Sequence, residues 1–169
     1  MDHLQDRLAL EPDEAALTRL CTAFPRPDEP MGEAWFMSDR RRFYPELRGD
    51  LADVETSLLE QALVEIACGT PYLSERAEWR DWFRYLMPRL ILRAGREPET
   101  TLAELLVSAF ASQHPLGIED LYPGFDRDVL ATLGRISLTL RGKPRFYRIK
   151  DLWNGRLSTL PAGLVFHCK

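Results

Sequence analysis

The usual catalytic and metal-binding patterns do not occur in this sequence. The residues best suited to a functional role are therefore the charged side chains of two segments. The histidines His3, His114 and His167 stand alone, and the three cysteines lack the spacing of a metal site. The sequence contains no glycine-rich phosphate loop and no GxSxG nucleophile turn. These observations predict a protein that is not an enzyme and that uses neither a metal nor another cofactor.

The first charged segment is acidic and rich in proline. Residues 25–33 read PRPDEPMGE, and two aromatic residues follow shortly after. Surface carboxylates favour encounter with a basic cleft, and aromatic side chains often dominate the energy of an interface. The predicted partner-binding residues are Asp28, Glu29, Glu33, Trp35 and Phe36. The simpler alternative is that the three acids only keep the segment soluble.

The second charged segment, residues 135–156, is basic. Residues 135–169 carry eight basic and one acidic residue, whereas residues 1–65 carry fifteen acidic and seven basic residues. Arginines mixed with aromatic rings are typical of surfaces that contact phosphates and stack bases. This pattern gives an alternative function, a nucleic-acid-binding or regulatory module. Its basic patch would consist of Arg141, Lys143, Arg145, Arg148 and Lys150.

Two observations weigh against that alternative. The sequence pI is near 5.5, and a net negative protein is repelled by a polyanion. The basic segment also has a second explanation, in which its arginines pair with the acidic N-terminal half of the same chain. We therefore expect a protein partner rather than nucleic acid.

Length and composition are those of one soluble domain. A chain of 169 residues with 45% hydrophobic and 28% charged residues can bury a sizeable core. Its acidic N-terminus lacks the basic start and apolar run of a secretion signal, and no apolar run is long enough to span a bilayer. We predict a single cytoplasmic domain, residues 1–169, that does not contact membranes.

Hydrophobic spacing predicts an all-α or mostly α domain. Apolar residues recur at intervals of three and four residues, which is the spacing of one helix face. A helical bundle or a short α-solenoid would satisfy this pattern. Asp50 is predicted to cap one helix, and Thr101 with Glu104 has the spacing of a capping box. The predicted helices cover residues 12–24, 50–67, 74–94, 101–112 and 126–139.

Three segments interrupt this pattern. Prolines and a glycine punctuate residues 25–47, which predicts an ordered loop with at most one helical turn. Pro88 predicts a kink or break near Met87, because proline cannot donate a helical hydrogen bond. Residues 136–149 fit either a helix or a small β-hairpin near the C-terminus. Of these two, we favour a helix to about residue 139.

The segment Phe83-Arg84-Tyr85-Leu86-Met87-Pro88-Arg89-Leu90 resembles a segment of small helical bacterial proteins. Several of these are encoded beside polymorphic or contact-dependent toxins as immunity proteins. The resemblance covers about twenty residues and carries no catalytic motif. It implies a cytoplasmic helical protein that works by binding and blocking another protein, a cognate toxin. It assigns no functional residue of its own.

Overall fold

The computed structural model describes residues 11–34, 41–69, 73–97 and 101–139. In this part of the chain it contains five helices and a short 3₁₀-helix, Pro45–Arg48. Within these ranges there is no β-strand, and an isolated antiparallel bridge joins Gly32 to Phe43. The predicted helical class is confirmed, as a compact bundle. The first four helices are α1 (Glu14–Ala23), α2 (Thr56–Cys68), α3 (Leu73–Arg96) and α4 (Leu102–Gln113). Helix α5 consists of two α-helical segments, Phe125–Val129 and Arg135–Thr139, joined by a π-helical turn, Leu130–Gly134.

Helix α3 is the centre of the bundle and contacts each of the other four helices. The face predicted from its spacing is buried almost completely. Burying aromatic side chains of this size removes a large apolar area from water, which makes this face the main source of hydrophobic stabilisation. The residues of this face are Trp79, Trp82, Phe83, Leu86 and Leu90.

Helix α3 continues through Pro88 to Arg96, so of the predicted kink or break near Met87 the break is wrong, and the kink stays a prediction. An internal proline costs a helix about 3 kcal/mol. Leu86, Met87 and Leu90 are all buried around it, and each such side chain contributes roughly 1.5–3 kcal/mol on burial. The free energy gained by burying these side chains therefore exceeds the cost of placing a proline inside the helix.

One predicted helix start, at Asp50, and one predicted capping hydrogen bond, at Thr101, are wrong, although Thr101 is the N-cap residue of α4 as predicted. Helix α2 begins at Thr56 instead of Asp50, whose carboxylate accepts from the Ala52 N–H at 2.9 Å in a preceding turn. The Thr101 side chain makes no hydrogen bond to the first turn of α4. The Glu60 carboxylate of α2 accepts instead from the N–H and the hydroxyl of Thr101, at 2.8 and 2.9 Å.

The helix favoured for residues 126–139 is confirmed, and its π-helical turn is joined to α1. The backbone N–H of Asp13, the residue that caps α1, donates to the Ala131 carbonyl in the π-helical turn at 3.0 Å. The buried carboxylate of Asp128 accepts hydrogen bonds from Arg19 (Nε–Oδ2 3.0 Å) and from the Tyr122 hydroxyl (2.7 Å). These hydrogen bonds, above all that of Arg19, hold the pKa of Asp128 below its usual range.

A buried histidine lies between α4 and α5. His114 stacks on Phe110 with ring centroids 4.4 Å apart and lies 6.2 Å from the ring of Phe125. Its Nδ1 atom has no hydrogen-bond partner in the described part of the chain. Burial lowers the pKa of His114, and the nearby charge of Arg84 adds to this effect while Glu119 opposes it.

We expect the free energy of unfolding to decrease as the pH is lowered through about 6.5, where an unperturbed histidine gains its proton. The unfolded chain then binds a proton that the folded His114 resists, so stability is lost on the acidic side. Urea denaturation between pH 5 and 8 measures this slope. His114→Gln should flatten it, whatever that change does to overall stability. The double variant His3→Gln/His167→Gln is the control, and an unchanged slope in His114→Gln would contradict the assignment.

Candidate functional site

Two tryptophans of α3 hold the backbone of residues 25–34, called the acidic loop below. The indole Nε1 of Trp79 donates to the Gly32 carbonyl at 2.8 Å, and that of Trp82 donates to the Glu29 carbonyl at 2.9 Å. Both rings are buried in the core. Because buried indoles are rigid, they fix the position of the loop backbone relative to α3.

A partly buried ion pair fixes the other side of the loop. Arg41 donates to both carboxylate oxygens of Glu78, at 2.7 and 2.8 Å, and also to the carbonyls of Gly32 and Glu33. Glu78 in turn accepts from the Gly32 N–H at 2.8 Å. Paired, bidentate hydrogen bonds between charged groups are among the strongest in proteins. The backbone at Gly32 therefore has partners for both its N–H and its carbonyl.

Gly32 is required by this arrangement because Arg41 crosses directly over it. A Cβ atom at position 32 would lie 2.6 Å from the guanidinium carbon of Arg41. Real Cβ atoms essentially never approach a neighbour so closely, and Arg41 is held by its hydrogen bonds to Glu78. Any side chain here would have to displace the ion pair.

The acidic loop and α3 form the two walls of an open groove of about 760 Å³. The exposed residues Asp28 and Glu29 belong to the loop wall. Helix α3 contributes Asp81, Trp82 and Arg84 to the other wall. Of the five predicted partner-binding residues, this groove brings together Asp28 and Glu29.

Glu33 lies apart from those two acids. It lines a different cavity with Tyr44 and Glu65, and its carboxylate is 3.7 Å from the guanidinium of Arg42. Burial raises the pKa of Tyr44 to about 12, and the charges of Glu65 and Glu33 add to the effect. Glu33 thus belongs to a partly paired cluster beside α2, and it does not face the groove.

The remaining predicted site residues lie outside the described ranges. They are Trp35 and Phe36 of the partner-binding set, together with Arg141, Lys143, Arg145, Arg148 and Lys150 of the basic patch. Their roles stay predictions. The alternative of a hairpin over residues 136–149 is wrong for residues 136–139, which are helical, and the rest of that range lies outside the described residues. The basic segment 135–156 is described only in its first five residues, which are helical.

Sequence reasoning missed the contribution of α3 to the groove. Apolar spacing predicts that Trp82 belongs to the core, and it does not predict that the indole N–H also binds the acidic loop. Asp81 and Arg84 are absent from the predicted site residues, although they stand three residues apart and their charged atoms lie 3.7 Å apart. The spacing of three residues could have indicated that the two charged side chains lie together, because residues i and i+3 share a helix face.

The described residues hold no group of three or more histidine, cysteine, aspartate or glutamate side chains that could bind a metal ion. Over the same ranges, every helix is too short or too polar to span a bilayer. The chain matches no protein-family model, no curated protein and no solved structure at a significant level. Function must therefore be argued from the groove itself.

We expect Gly32→Ala to lower the free energy of unfolding by about 1–3 kcal/mol, the usual cost of overpacking. The reason is the steric conflict with Arg41. Gly95→Ala in α3 is the matched control, because nothing lies within 4 Å of a Cβ atom there. In that exposed helical position alanine should stabilise by about 0.5–1 kcal/mol. Chemical denaturation of both variants measures the difference, and equal effects would refute the proposed crowding at Gly32.

Proposed function

We propose that this chain is a non-enzymatic protein-binding inhibitor, and specifically an immunity protein that neutralises a cognate secreted bacterial toxin by covering its active cleft. One observation carries the proposal. The backbone of the acidic loop is held by Trp79, Trp82 and Glu78 while the carboxylates of Asp28 and Glu29 remain exposed.

A loop fixed in this way suits protein binding, because association is opposed by the entropy lost when flexible segments become ordered. The acidic loop is already ordered by hydrogen bonds from α3, so little further ordering is needed. Its exposed carboxylates would attract a basic surface and speed the encounter. This combination of a fixed backbone and exposed charge supports binding to a partner that is itself pre-formed.

The inhibitory role is supported by the resemblance of residues 83–90 to immunity proteins. An acidic loop would suit a toxin that acts on nucleic acid or a nucleotide, because such an enzyme needs a basic cleft for its substrate. The inhibitor would then occupy the cleft with carboxylates in place of the substrate's phosphates. This mechanism needs no catalytic group in the inhibitor.

The direct test is a pull-down of the tagged full chain with the product of the adjacent gene, followed by co-expression of the two. An immunity protein should bind that product tightly and restore the growth of cells that produce it. Absence of binding together with absence of rescue would reject the proposal. Binding without rescue would reject the inhibitory role.

We expect the double variant Asp28→Asn/Glu29→Gln to weaken binding of the partner by about tenfold, mainly through slower association. Both side chains are exposed, so the fold should be unchanged. Surface plasmon resonance at two salt concentrations measures this, and added salt should reduce the difference between variant and wild type.

The matched control is Asp53→Asn/Glu55→Gln, which removes the same charge from exposed positions away from the groove. Glu33→Gln should weaken binding less than Asp28→Asn/Glu29→Gln does, because the Glu33 carboxylate lies in a different cavity. If the control weakens binding as much as Asp28→Asn/Glu29→Gln does, the interaction depends on net charge and the acidic loop has no special role.

A further inference from the structure

Among the half-buried arginines of α3, Arg84 differs from Arg89 and Arg93 in having no hydrogen-bonded partner in the described part of the chain. Arg89 donates to the carbonyls of Cys21, Phe24 and Tyr85. Arg93 donates to two backbone carbonyls, to Thr56 and to Glu97. In the described part of the chain, no acceptor lies within hydrogen-bond distance of the Arg84 guanidinium.

The surroundings of Arg84 make this lack of partners costly. Only 20% of its side chain is exposed, and its Nε atom is buried. Its guanidinium carbon lies 5.9 Å from the ring centroid of Phe24, and the nearest carboxylate oxygen, on Asp81, is 3.7 Å away. Burial lowers the pKa of Arg84, with Arg80 adding to the effect, but arginine still keeps its charge. A partly buried cation without hydrogen bonds is stabilised strongly by an incoming anion.

The rim of the same groove has the opposite charge. Asp28 and Glu29 are exposed on the loop wall, and Asp81 is 56% exposed in its side chain on the helix wall. Arg26, the other cation of the groove, already donates to the Arg48 carbonyl. The groove therefore presents, at Arg84, a partly buried cation whose ion pair with Asp81 is longer than a hydrogen bond, beside carboxylates that face solvent.

We propose that this groove binds a segment of a partner protein in which an acidic side chain stands beside a basic one. The partner's carboxylate accepts hydrogen bonds from Arg84, and its basic group lies against Asp28 and Glu29. Phe24 and Trp82 pack against the apolar parts of both side chains. This inference rests on the proposed function, since it names the part of the surface that the protein partner contacts.

A nucleic acid fits the groove less well than this segment. Its phosphates carry a row of negative charges, and those next to the one bound by Arg84 would meet Asp28, Glu29 and Asp81. A single carboxylate brings one negative charge, and the adjacent basic group compensates the acidic rim. Charge complementarity therefore selects a mixed pair of side chains on a protein.

The test uses fluorescent twelve-residue peptides with a common Gly/Ser/Ala background and one of three charge patterns: adjacent Arg-Glu pairs, arginine only, or glutamate only. Fluorescence anisotropy with the full chain measures their affinities. We expect the Arg-Glu peptide to bind most tightly. Arg84→Gln should weaken its binding by about tenfold, as expected for the loss of a charge-assisted hydrogen bond.

Two variants serve as controls for charge and geometry. Arg80→Gln removes the same charge from an exposed position one turn earlier in α3 and should leave the affinity nearly unchanged. Arg84→Lys keeps the charge but loses the planar fork of donors, so it should recover the affinity only in part. It also remains informative if Arg84→Gln does not fold. Circular dichroism checks the fold of each variant.

Several results would overturn the inference: equal affinities for the three peptides, an equal loss in Arg80→Gln and Arg84→Gln, or competition by a thymidine oligonucleotide that depends on Arg84. The proposed function fails on a different result: the wild-type chain neither binds nor inhibits the neighbouring gene product. If the wild type rescues growth and Arg84→Gln rescues equally well, with no peptide preference, only this inference fails.

Discussion

The structure depends on hydrogen bonds that α3 supplies to irregular backbone. Residues 24–55, between α1 and α2, contain four prolines. In the described part of this segment the 3₁₀-helix Pro45–Arg48 is the helical element, so most of the N–H and carbonyl groups there lack helical partners. Buried backbone groups without partners are costly. Helix α3 supplies those partners at three positions along its length. The side chains near Glu78 bind the acidic loop. Arg89 binds the end of α1, and Arg93 binds the turn before α2. One helix thereby serves as both hydrophobic core and polar scaffold.

The same scaffold separates the charges of the protein into two kinds. Glu78, Asp128 and Glu97 are bound by arginines and organise the fold. The Glu29 carbonyl is held by Trp82, whereas the side chains of Asp28 and Glu29 are exposed. The two kinds have different energetic roles, because paired and partly buried charges determine geometry whereas exposed charges mainly influence encounter with other molecules. The groove is where both kinds meet, around Arg84.

Local sequence patterns predicted the helices and most of their ends to within two residues, with the start of α2 as the exception. The buried face of α3 follows from apolar spacing alone, and so do α1, α4 and the helix ending at residue 139. The start of α2 and the cap of α4 did not follow, since Arg93 and Glu60 determine them from about forty residues away in the chain. For the candidate site, the acids of the loop were predictable from composition. The i,i+3 spacing of Asp81 and Arg84 was visible in the sequence, but their contribution to the groove was not, because it appears only when the loop is placed against the helix.

The order in which the chain is synthesised gives the tryptophan contacts a further consequence. Glu29 leaves the ribosome 53 residues before Trp82, the residue that holds its carbonyl. At typical elongation speeds this interval lasts about 3–10 s. For most of that time the nascent acidic loop lacks the two indoles and Glu78, so the groove cannot assemble. The groove is therefore a late product of translation, and a chain interrupted before α3 would carry the acids of the loop without the helix wall of the groove.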